Sequence, residues 1–233
     1  IAHRGASASE PENTLKAFQT AYKLGADGIE LDIHLTKDGK IVVCHDNNIK
    51  RITGKPLKIA HSSLAQLRKL DFGKGEKIPT LDEVFDGFLK KFSIINVEVK
   101  STGLSNHGVE EKLAKCLKKF KAHDKVLVSS FNPFNLLRVK NLVPNLRLGY
   151  LMCREQNVIA RNRLWPSVLR PHSLNLDQNL YKYARHRTLF KTDYPKWIWT
   201  VNTLKDMRFW IARNDVEAII TNYPDKLRKL IEK

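Results

Sequence analysis

The sequence predicts an α/β protein, a distorted (β/α)₈ TIM barrel with a small insertion after the second βα region. Short apolar runs alternate with amphipathic segments roughly eight times along 233 residues, and such alternation is typical of a parallel sheet covered by helices. Eight units in a chain of this length favour a closed barrel over an open doubly wound sheet. No glycine-rich dinucleotide fingerprint follows the first strand, where His-Arg-Gly-Ala stands instead.

The first elements are recognisable from their periodicity and turn residues. The helical spacing of Leu15, Phe18 and Tyr22 predicts a first helix over 12–23. Asp38-Gly39 marks a hairpin between the second and third strands. In this half of the chain, apolar runs predict strands at 1–2, 27–35, 41–44 and 94–99.

Residues 47–79 interrupt this alternation. They contain polar, Gly and Pro positions around one short predicted helix, 63–70. We interpret them as a small insertion within a single domain of residues 1–233, not as a second domain. Thr80, with Glu83 three residues later, has the capping-box pattern that begins the next helix, 80–89.

The second half continues the alternation to the end of the chain. The predicted strands are 126–129, 146–151, one within 168–176, 197–201 and 218–221. The predicted helices are 109–120, 133–142, 180–189, 204–213 and 225–231.

The chain is strongly basic, with 41 Lys and Arg against 24 Asp and Glu and a net charge of +17. A field of this sign attracts anions such as phosphate esters, an anionic membrane surface or nucleic acid. A solubilising surface explains the same composition. No basic zipper, zinc finger or RNA-binding aromatic motif accompanies the charge, so we expect no nucleic-acid partner.

The cysteines and the first residue of the sequence bear on the cellular compartment of the protein. Three cysteines, an odd number and none in a CxxC pair, do not suggest a disulfide framework. Together with the lack of a visible signal peptide, they favour the cytoplasm. Because the sequence starts at Ile1 and not at Met, a periplasmic or exported location stays open.

Acidic residues stand at predicted strand ends. Glu30 and Asp32 are two apart, so both side chains point to the same face of the strand, and Glu98 and Lys100 repeat this arrangement. Carboxylates inside a barrel would repel one another and lose hydration. A divalent cation resolves this conflict, and oxygen ligands favour Mg²⁺, Ca²⁺ or Mn²⁺. Pairing of the acids with Lys and Arg at the barrel rim is the alternative.

Two histidines also follow predicted strands, His3 and His45. Imidazole exchanges protons near neutral pH, and cleavage of a phosphodiester needs one base and one acid. Arg4 offers a planar donor fork for a phosphate, and Lys100 offers a compact positive charge. Neutralisation of the acids is the alternative role for both. His34 continues the face of Glu30 and Asp32, where we expect it to pack at the rim.

Several segments together resemble the glycerophosphodiester phosphodiesterase family over essentially the whole chain. In the family's order they are His3-Arg4-Gly5-Ala6, Pro11-Glu12-Asn13-Thr14, Glu30-Leu31-Asp32, Leu35-Thr36-Lys37-Asp38-Gly39, His45-Asp46, Pro79-Thr80-Leu81, Asn96-Val97-Glu98-Val99-Lys100, Trp199-Thr200-Val201-Asn202 and Ile220-Thr221-Asn222-Tyr223-Pro224. One departure is Asn222, where the family commonly has Asp.

The resemblance implies metal-dependent hydrolysis of a small glycerophosphodiester to glycerol 3-phosphate and an alcohol. It implies one divalent cation, a catalytic pair, phosphate contacts, a residue lining the glycerol pocket, and residues that fix the first loop. The resemblance assigns the metal to Glu30, Asp32 and Glu98, and proton transfer to His3 and His45. It assigns phosphate binding to Arg4 and Lys100, the glycerol pocket to Trp199, and the first loop to Glu12 and Asn13.

Other functions remain compatible with the same residues. A related enzyme acting at membranes, such as a lysophospholipase D or a phosphoinositide-type phospholipase C, would share the barrel and the histidines. A non-catalytic basic module for membranes or nucleic acid belongs to another class. The headgroup, the metal, the oligomeric state, the role of each histidine, and attack by water or through a cyclic phosphate all stay open.

Overall fold

The structure, a computed structural model, describes residues 1–100, 108–156 and 164–232. Its centre is one sheet in the order β1-β2-β4-β5-β6-β7-β8-β9, in which all these neighbours are parallel, while β3 pairs antiparallel with β2. The strands are β1 Ala2–His3, β2 Gly28–Leu35, β3 Ile41–Val43, β4 Ile94–Val99, β5 Val126–Ser130, β6 Arg147–Met152, β7 Ser173–Asp177, β8 Lys196–Trp199 and β9 Val216–Ile219.

The two ends of the sheet meet and close the barrel. The amide of His3 donates to the carbonyl of Thr221 at 2.8 Å, and the amide of Thr221 donates to the carbonyl of Ile1 at 3.0 Å. Thr221 lies just after β9, so these bonds join the last strand to β1. The predicted (β/α)₈ barrel is confirmed.

Helices cover the outside of the sheet. The helices are α1 Leu15–Lys23, α2 Lys50–Thr53, α3 Leu64–Leu67, α4 Leu81–Phe88, α5 Val109–Phe120, α6 Pro133–Leu142, α7 Trp165–Leu169, α8 Leu204–Ile211 and α9 Pro224–Ile231. The apolar outward faces of the strands pack against them, as Leu31 and Val99 do in the main core. No helix among the described residues is both long and apolar enough to span a bilayer.

Three predicted elements need correction. The first helix begins at Leu15 and not at residue 12, because Thr14 caps it by accepting from the amide of Ala17 and because Asn13 has a left-handed φ of 60°. The predicted helix 180–189 consists of two 3₁₀ segments, Gln178–Lys182 and Ala184–Lys191. The predicted helix 63–70 is a single turn, Leu64–Leu67, whereas the strand expected within 168–176 is present at Ser173–Asp177.

The segment between β3 and α4 builds a small core of its own. It contains α2, a 3₁₀ turn at Ile59–His61, and α3. Its core consists of Val42, Cys44, Ile49, Ile59, Leu67, Phe72 and Ile78. Val43, one position from Val42, belongs to the main core instead. Strand β3 therefore separates two cores, and this double packing fixes the position of His45 just beyond it.

Candidate active site

Three carboxylates meet where the middle of β2 lies beside the C-terminal end of β4. Asp32 lies opposite Glu98 in the parallel register, and Glu30 precedes Asp32 by two positions on the same face. One oxygen from each side chain lies within 4.8 Å of the others, and all three residues are buried. The carboxyl ends of parallel barrel strands are where active sites form in this architecture.

The three acids differ in proton affinity: the pKa values of Glu30 and Glu98 are raised, and the pKa of Asp32 is lowered. Burial, reinforced by the charges of Asp32 and Glu98, raises the pKa of Glu30 well above its ordinary value. Burial likewise raises the pKa of Glu98 to about 7, although the ammonium of Lys100 opposes the increase. Burial would also raise the pKa of Asp32, but Lys100 and Arg4 hold it well below its usual range.

Two cations lie against the acids. The Nζ of Lys100 is 2.8 Å from Glu98 Oε1 and 3.3 Å from Asp32 Oδ1. Arg4 brings its Nε to 3.4 Å from Asp32 Oδ2 and donates from Nη1 to Glu12 at 3.1 Å. The pairing of the acids with Lys and Arg that the sequence allowed is therefore present, and it explains how three carboxylates coexist.

The donor set also fits a hard divalent cation. It consists of carboxylate oxygens only, which Mg²⁺ and Ca²⁺ prefer. Asp32 Oδ1 is buried and accepts no hydrogen bond from the described residues. Burial, together with the neighbouring carboxylates, raises the pKa values of Glu30 and Glu98, and a bound cation would offset both influences. Both features are those of a site in which a cation would complete the coordination.

The first loop is held tightly against β2. The amide of Arg4 donates to Glu30 Oε2 at 3.0 Å, and the side-chain amide of Asn13 donates to Asp32 Oδ2 at 2.8 Å. Gly5 has φ 81° and lies so close to Ala17 that a Cβ there would be 2.7 Å from the Ala17 backbone. Only glycine fits this position, and the close approach directs Arg4 into the site.

His3 stands at the end of β1 beside Glu30. Its Nδ1 is 2.7 Å from Asn222 Oδ1, and its Nε2 is 3.9 Å from Glu30 Oε2. Since an amide oxygen only accepts, Nδ1 carries the hydrogen and Nε2 keeps a lone pair at neutral pH. Burial and the Arg4 guanidinium lower the pKa of His3 to about 4.

His45 is held in the same manner by a carboxylate. Its Nδ1 is 2.7 Å from Asp46 Oδ1. Burial lowers its pKa, although the charge of Asp32 opposes that decrease. Its backbone carbonyl is 3.0 Å from Nε2 of His34, so His34 supports the strand end and is half-buried at the rim.

Arg51 connects the insertion to the barrel. From α2 it donates through Nε to Asp46 Oδ2 and through Nη2 to Glu12 Oε1, both at 2.6 Å. Glu12 also accepts from Arg4. A continuous chain of charge-assisted bonds thus runs from His45 through Asp46, Arg51 and Glu12 to Arg4.

Trp199 lies farther around the barrel, at the end of β8. Its indole Nε1 donates to the carbonyl of Asn175 at 2.9 Å, and its ring meets Phe131 edge to face with centroids 5.5 Å apart. These contacts fix the half-buried ring at the mouth.

Sequence reasoning missed three supporting residues: Asp46, Arg51 and Asn222. Asp46 follows His45 directly in the sequence, but the sequence alone does not show that its carboxylate holds the imidazole. Asn222 stood out only as a departure from the family pattern. Arg51 gave no signal, because its contacts with Asp46 and Glu12 exist only after the insertion folds back over the first loop.

Comparisons with known proteins agree with this geometry. The model of the "Glycerophosphoryl diester phosphodiesterase family" matches residues 3–226. A protein of Caldanaerobacter subterraneus subsp. tengcongensis named glycerophosphodiester phosphodiesterase is 37% identical over 244 residues, covering 100% of this chain and 97% of that protein.

A solved structure and a relative matched over a shorter stretch extend the comparison. A phosphodiesterase of Oleispira antarctica, solved in complex with the product sn-glycerol-3-phosphate, superimposes with a TM-score of 0.80 at 27% identity, covering 100% of this chain and 96% of that one. A Homo sapiens lysophospholipase D is 38% identical over 133 residues, which are 52% of this chain and 41% of that protein. The match to the family model and to a full-length relative shows that this chain belongs to the glycerophosphoryl diester phosphodiesterase family.

Proposed function

We propose that the protein hydrolyses glycerophosphodiesters to glycerol 3-phosphate and an alcohol, with His3 and His45 exchanging the two protons. The observation that supports this assignment is shared by both imidazoles. Each has its Nδ1 bonded to an oxygen acceptor, Asn222 or Asp46, which leaves Nε2 available for proton transfer. Each also interacts electrostatically with Asp32, so both lie near the acidic cluster.

The proposed metal ligands are Glu30, Asp32 and Glu98. A divalent cation bound there, Mg²⁺ or Ca²⁺ and alternatively Mn²⁺, supplies positive charge that polarises the phosphoryl group and favours ionisation of the attacking hydroxyl. The all-oxygen donor set supports this choice, as does Asp32 Oδ1, which is buried and accepts no hydrogen bond among the described residues.

The protons follow a balanced path. One imidazole accepts at Nε2 the proton of the attacking hydroxyl, which belongs either to water or to the neighbouring glycerol carbon. The phosphorus–oxygen bond to the alcohol breaks, and the other imidazole, protonated at the start, donates from Nε2 to the leaving oxygen. When water attacks, this step gives glycerol 3-phosphate directly, and proton exchange with solvent restores both rings. When the glycerol hydroxyl attacks, the step gives a cyclic phosphate, which water then opens to glycerol 3-phosphate while the two imidazoles reverse their proton transfers. Because its Nε2 is unprotonated at neutral pH, His3 fits the accepting role better, which leaves the donating role to His45.

The remaining residues bind or position groups in this proposal. Arg4 and Lys100 stabilise charge on the phosphoryl oxygens, because both cations already point into the cluster. Glu12 and Asn13 hold the first loop through Arg4 and Asp32. Trp199, fixed by Asn175 and exposed in part, lines the glycerol pocket.

The direct test is release of glycerol 3-phosphate from glycerophosphocholine. Protein stripped with EDTA should be inactive, and Mg²⁺, Ca²⁺ or Mn²⁺ should restore release. Replacing His3 or His45 with Ala should lower kcat by at least about 100-fold while KM changes little. Near-normal turnover in either variant rules out the proton-transfer assignment, whereas metal-independent turnover rules out the metal site.

A lysophospholipid substrate is the second candidate. It is supported by the similarity to the human lysophospholipase D over about half the chain and by exposed apolar side chains in connections that follow the strands, namely Leu57, Leu164, Tyr183 and Leu204. The net charge of +17 suits an anionic membrane surface. Choline release from lysophosphatidylcholine vesicles, compared with soluble glycerophosphocholine, distinguishes the two substrates.

A further inference from the structure

A second cleft lies away from the acidic cluster, on the outer side of the barrel. It has a volume of about 430 Å³ and is bounded by the β2–β3 turn, α3, the start of α4 and one face of α5. None of its lining residues belongs to the proposed catalytic or metal-binding set. Apolar side chains such as Ile41, Leu64 and Cys116 form part of its wall.

The lining is far more basic than the protein as a whole. Five of its twelve residues are Lys or Arg and two are acidic, whereas the chain has 41 Lys and Arg in 233 residues. The five cations are Lys40, Arg68, Lys112, Lys115 and Lys119. With two acids among them, three positive charges remain uncompensated, so the general surplus of the chain is concentrated here.

Both acids are already committed to other partners. Asp82 accepts from Lys119 at 2.6 Å and from the Cys116 thiol at 3.3 Å. Glu83 accepts from Arg68 at 2.6 Å and closes the capping box with Thr80.

Three lysines are left without a counter-charge. Lys40, Lys112 and Lys115 are exposed, and none has an ion-pair partner within the described parts of the chain. The two internal stretches outside those parts, 101–107 and 157–163, contain no Asp or Glu. Lys40 interacts at longer range with Asp38 and Asp82, but no carboxylate among the described residues forms an ion pair with any of the three lysines.

Helix geometry brings the lysines to one wall. Lys112, Lys115 and Lys119 follow one another at spacings of three and four, so they share one face of α5 over about 10 Å. The ammonium of Lys112 reaches the turn opposite, since a Cβ on Gly39 would be 3.5 Å from its Nζ. Lys40 belongs to that same turn, and its charge acts on Asp82 across the cleft.

We propose that this cleft is a binding site for a small polyphosphate, a ligand carrying two or more linked phosphate groups. Three unpaired ammonium groups around one concave surface repel one another, and a ligand with several negative charges relieves that repulsion in one event. A single phosphate would balance only part of the charge. The site is distinct from the acidic cluster, and its occupation does not require the catalytic residues.

The test uses inorganic pyrophosphate as the probe, titrated calorimetrically into the metal-stripped full chain at low ionic strength. The double variant Lys112→Ala/Lys115→Ala should bind pyrophosphate at least about tenfold more weakly than the unmodified protein, because two charge-assisted contacts are lost. Orthophosphate should bind more weakly than pyrophosphate to the unmodified protein. Turnover of glycerophosphocholine by the double variant should stay within about twofold, which shows that it is folded.

The matched control removes the same charge elsewhere. Lys23→Ala/Lys229→Ala replaces exposed lysines on α1 and α9, which contribute nothing to the cleft. Binding should be unchanged in this control. Equal weakening in both double variants would show a general charge effect, and unchanged binding in Lys112→Ala/Lys115→Ala would place pyrophosphate at another site. Either result, or no binding to the unmodified protein, overturns the proposal.

Discussion

Asn222 accepts a hydrogen bond from Nδ1 of His3 at 2.7 Å. The bond joins the chain after the last strand to the first strand, where the barrel closes. Asn222 is itself fixed, because its backbone amide donates to Asn202 Oδ1 at 3.0 Å. The consequence is an imidazole with one tautomer and one orientation, with Nε2 directed toward Glu30.

Replacing Asn222 with Leu should therefore impair catalysis more than binding. Leucine has a similar volume but accepts no hydrogen bond, so His3 loses its preferred tautomer and orientation. We expect kcat for glycerophosphocholine to fall by about 10- to 100-fold, by analogy with the loss found when a residue that holds a metal-bound histidine is removed. Asn222→Asp keeps an acceptor and should retain most of the activity while raising the pH at which His3 titrates, since it adds a negative charge.

The control for this pair is Asn145→Ala, an exposed loop position. Its steady-state parameters should match those of the unmodified protein. If Asn222→Leu turns over within about twofold of normal, the bond to His3 has no part in orienting a proton-transfer group.

Local sequence patterns predict part of the site, whereas contacts between distant positions are not predictable from them. The spacing of Glu30 and Asp32 is enough to place both carboxylates on one face, and the capping box at Thr80 is present as expected. The bond between His3 and Asn222 spans 219 positions. No local pattern encodes it, because it exists only when the barrel closes.

The insertion illustrates the same limit. Its Pro, Gly and polar composition predicted an insertion. Its small core and the contact of Arg51 with Glu12 depend on how the insertion folds back onto the barrel. The start of α1 was misplaced for a local reason: the helical spacing of Leu15 and Phe18 does not reveal the left-handed turn at Asn13.

Arg51→Gln should lower kcat through His45. The guanidinium donates to both Asp46 and Glu12, so its loss frees the carboxylate that holds His45 Nδ1 and loosens the insertion. We expect about a tenfold decrease in kcat. Arg51→Lys should recover only part of it, because an ammonium cannot make both contacts in the same planar geometry. Global stability should change by less than about 1 kcal/mol, since the side chain is half-exposed.

Lys50→Gln is the matched control for Arg51. It removes one positive charge from the neighbouring position of α2, where the side chain is exposed. An equal loss of activity in both variants would show that net charge near the mouth matters and that the bonds of Arg51 do not.

Glu98→Gln should change the pH dependence of stability in the metal-free protein. The folded-state pKa of Glu98 is raised from 4.5 to about 7, so the protonated side chain is favoured on folding. Its contribution is fully present below about pH 4.5 and is lost as the pH rises through 7. Glutamine imitates the protonated acid at every pH. The variant should thus gain stability relative to the unmodified protein between pH 5 and pH 8, by up to about 3 kcal/mol.

The measurement is chemical denaturation of both proteins in EDTA at several pH values. Comparing the two proteins cancels the opposite contributions of His3 and His45, whose lowered pKa values make stability rise with pH in part of this range. Glu217 is an exposed acid outside the cluster. The stability of Glu217→Gln relative to the unmodified protein should not change with pH in this way. A stability difference independent of pH would contradict a raised pKa at Glu98.

Lys100→Met should destabilise the metal-free protein strongly, and added metal should reverse most of the effect. Lys100 is the cation that contacts both Glu98 and Asp32. Methionine has a similar length but no charge, so Glu98 loses its cation and Asp32 keeps only Arg4, at a cost of about 3 kcal/mol in the free energy of unfolding. Millimolar Mg²⁺ or Ca²⁺ binds the same carboxylates in our proposal and should narrow the gap to the unmodified protein. Lys37→Met, on the exposed β2–β3 turn, should be neutral with or without metal. A gap that metal leaves unchanged would show that the cluster of Glu30, Asp32 and Glu98 does not bind the cation.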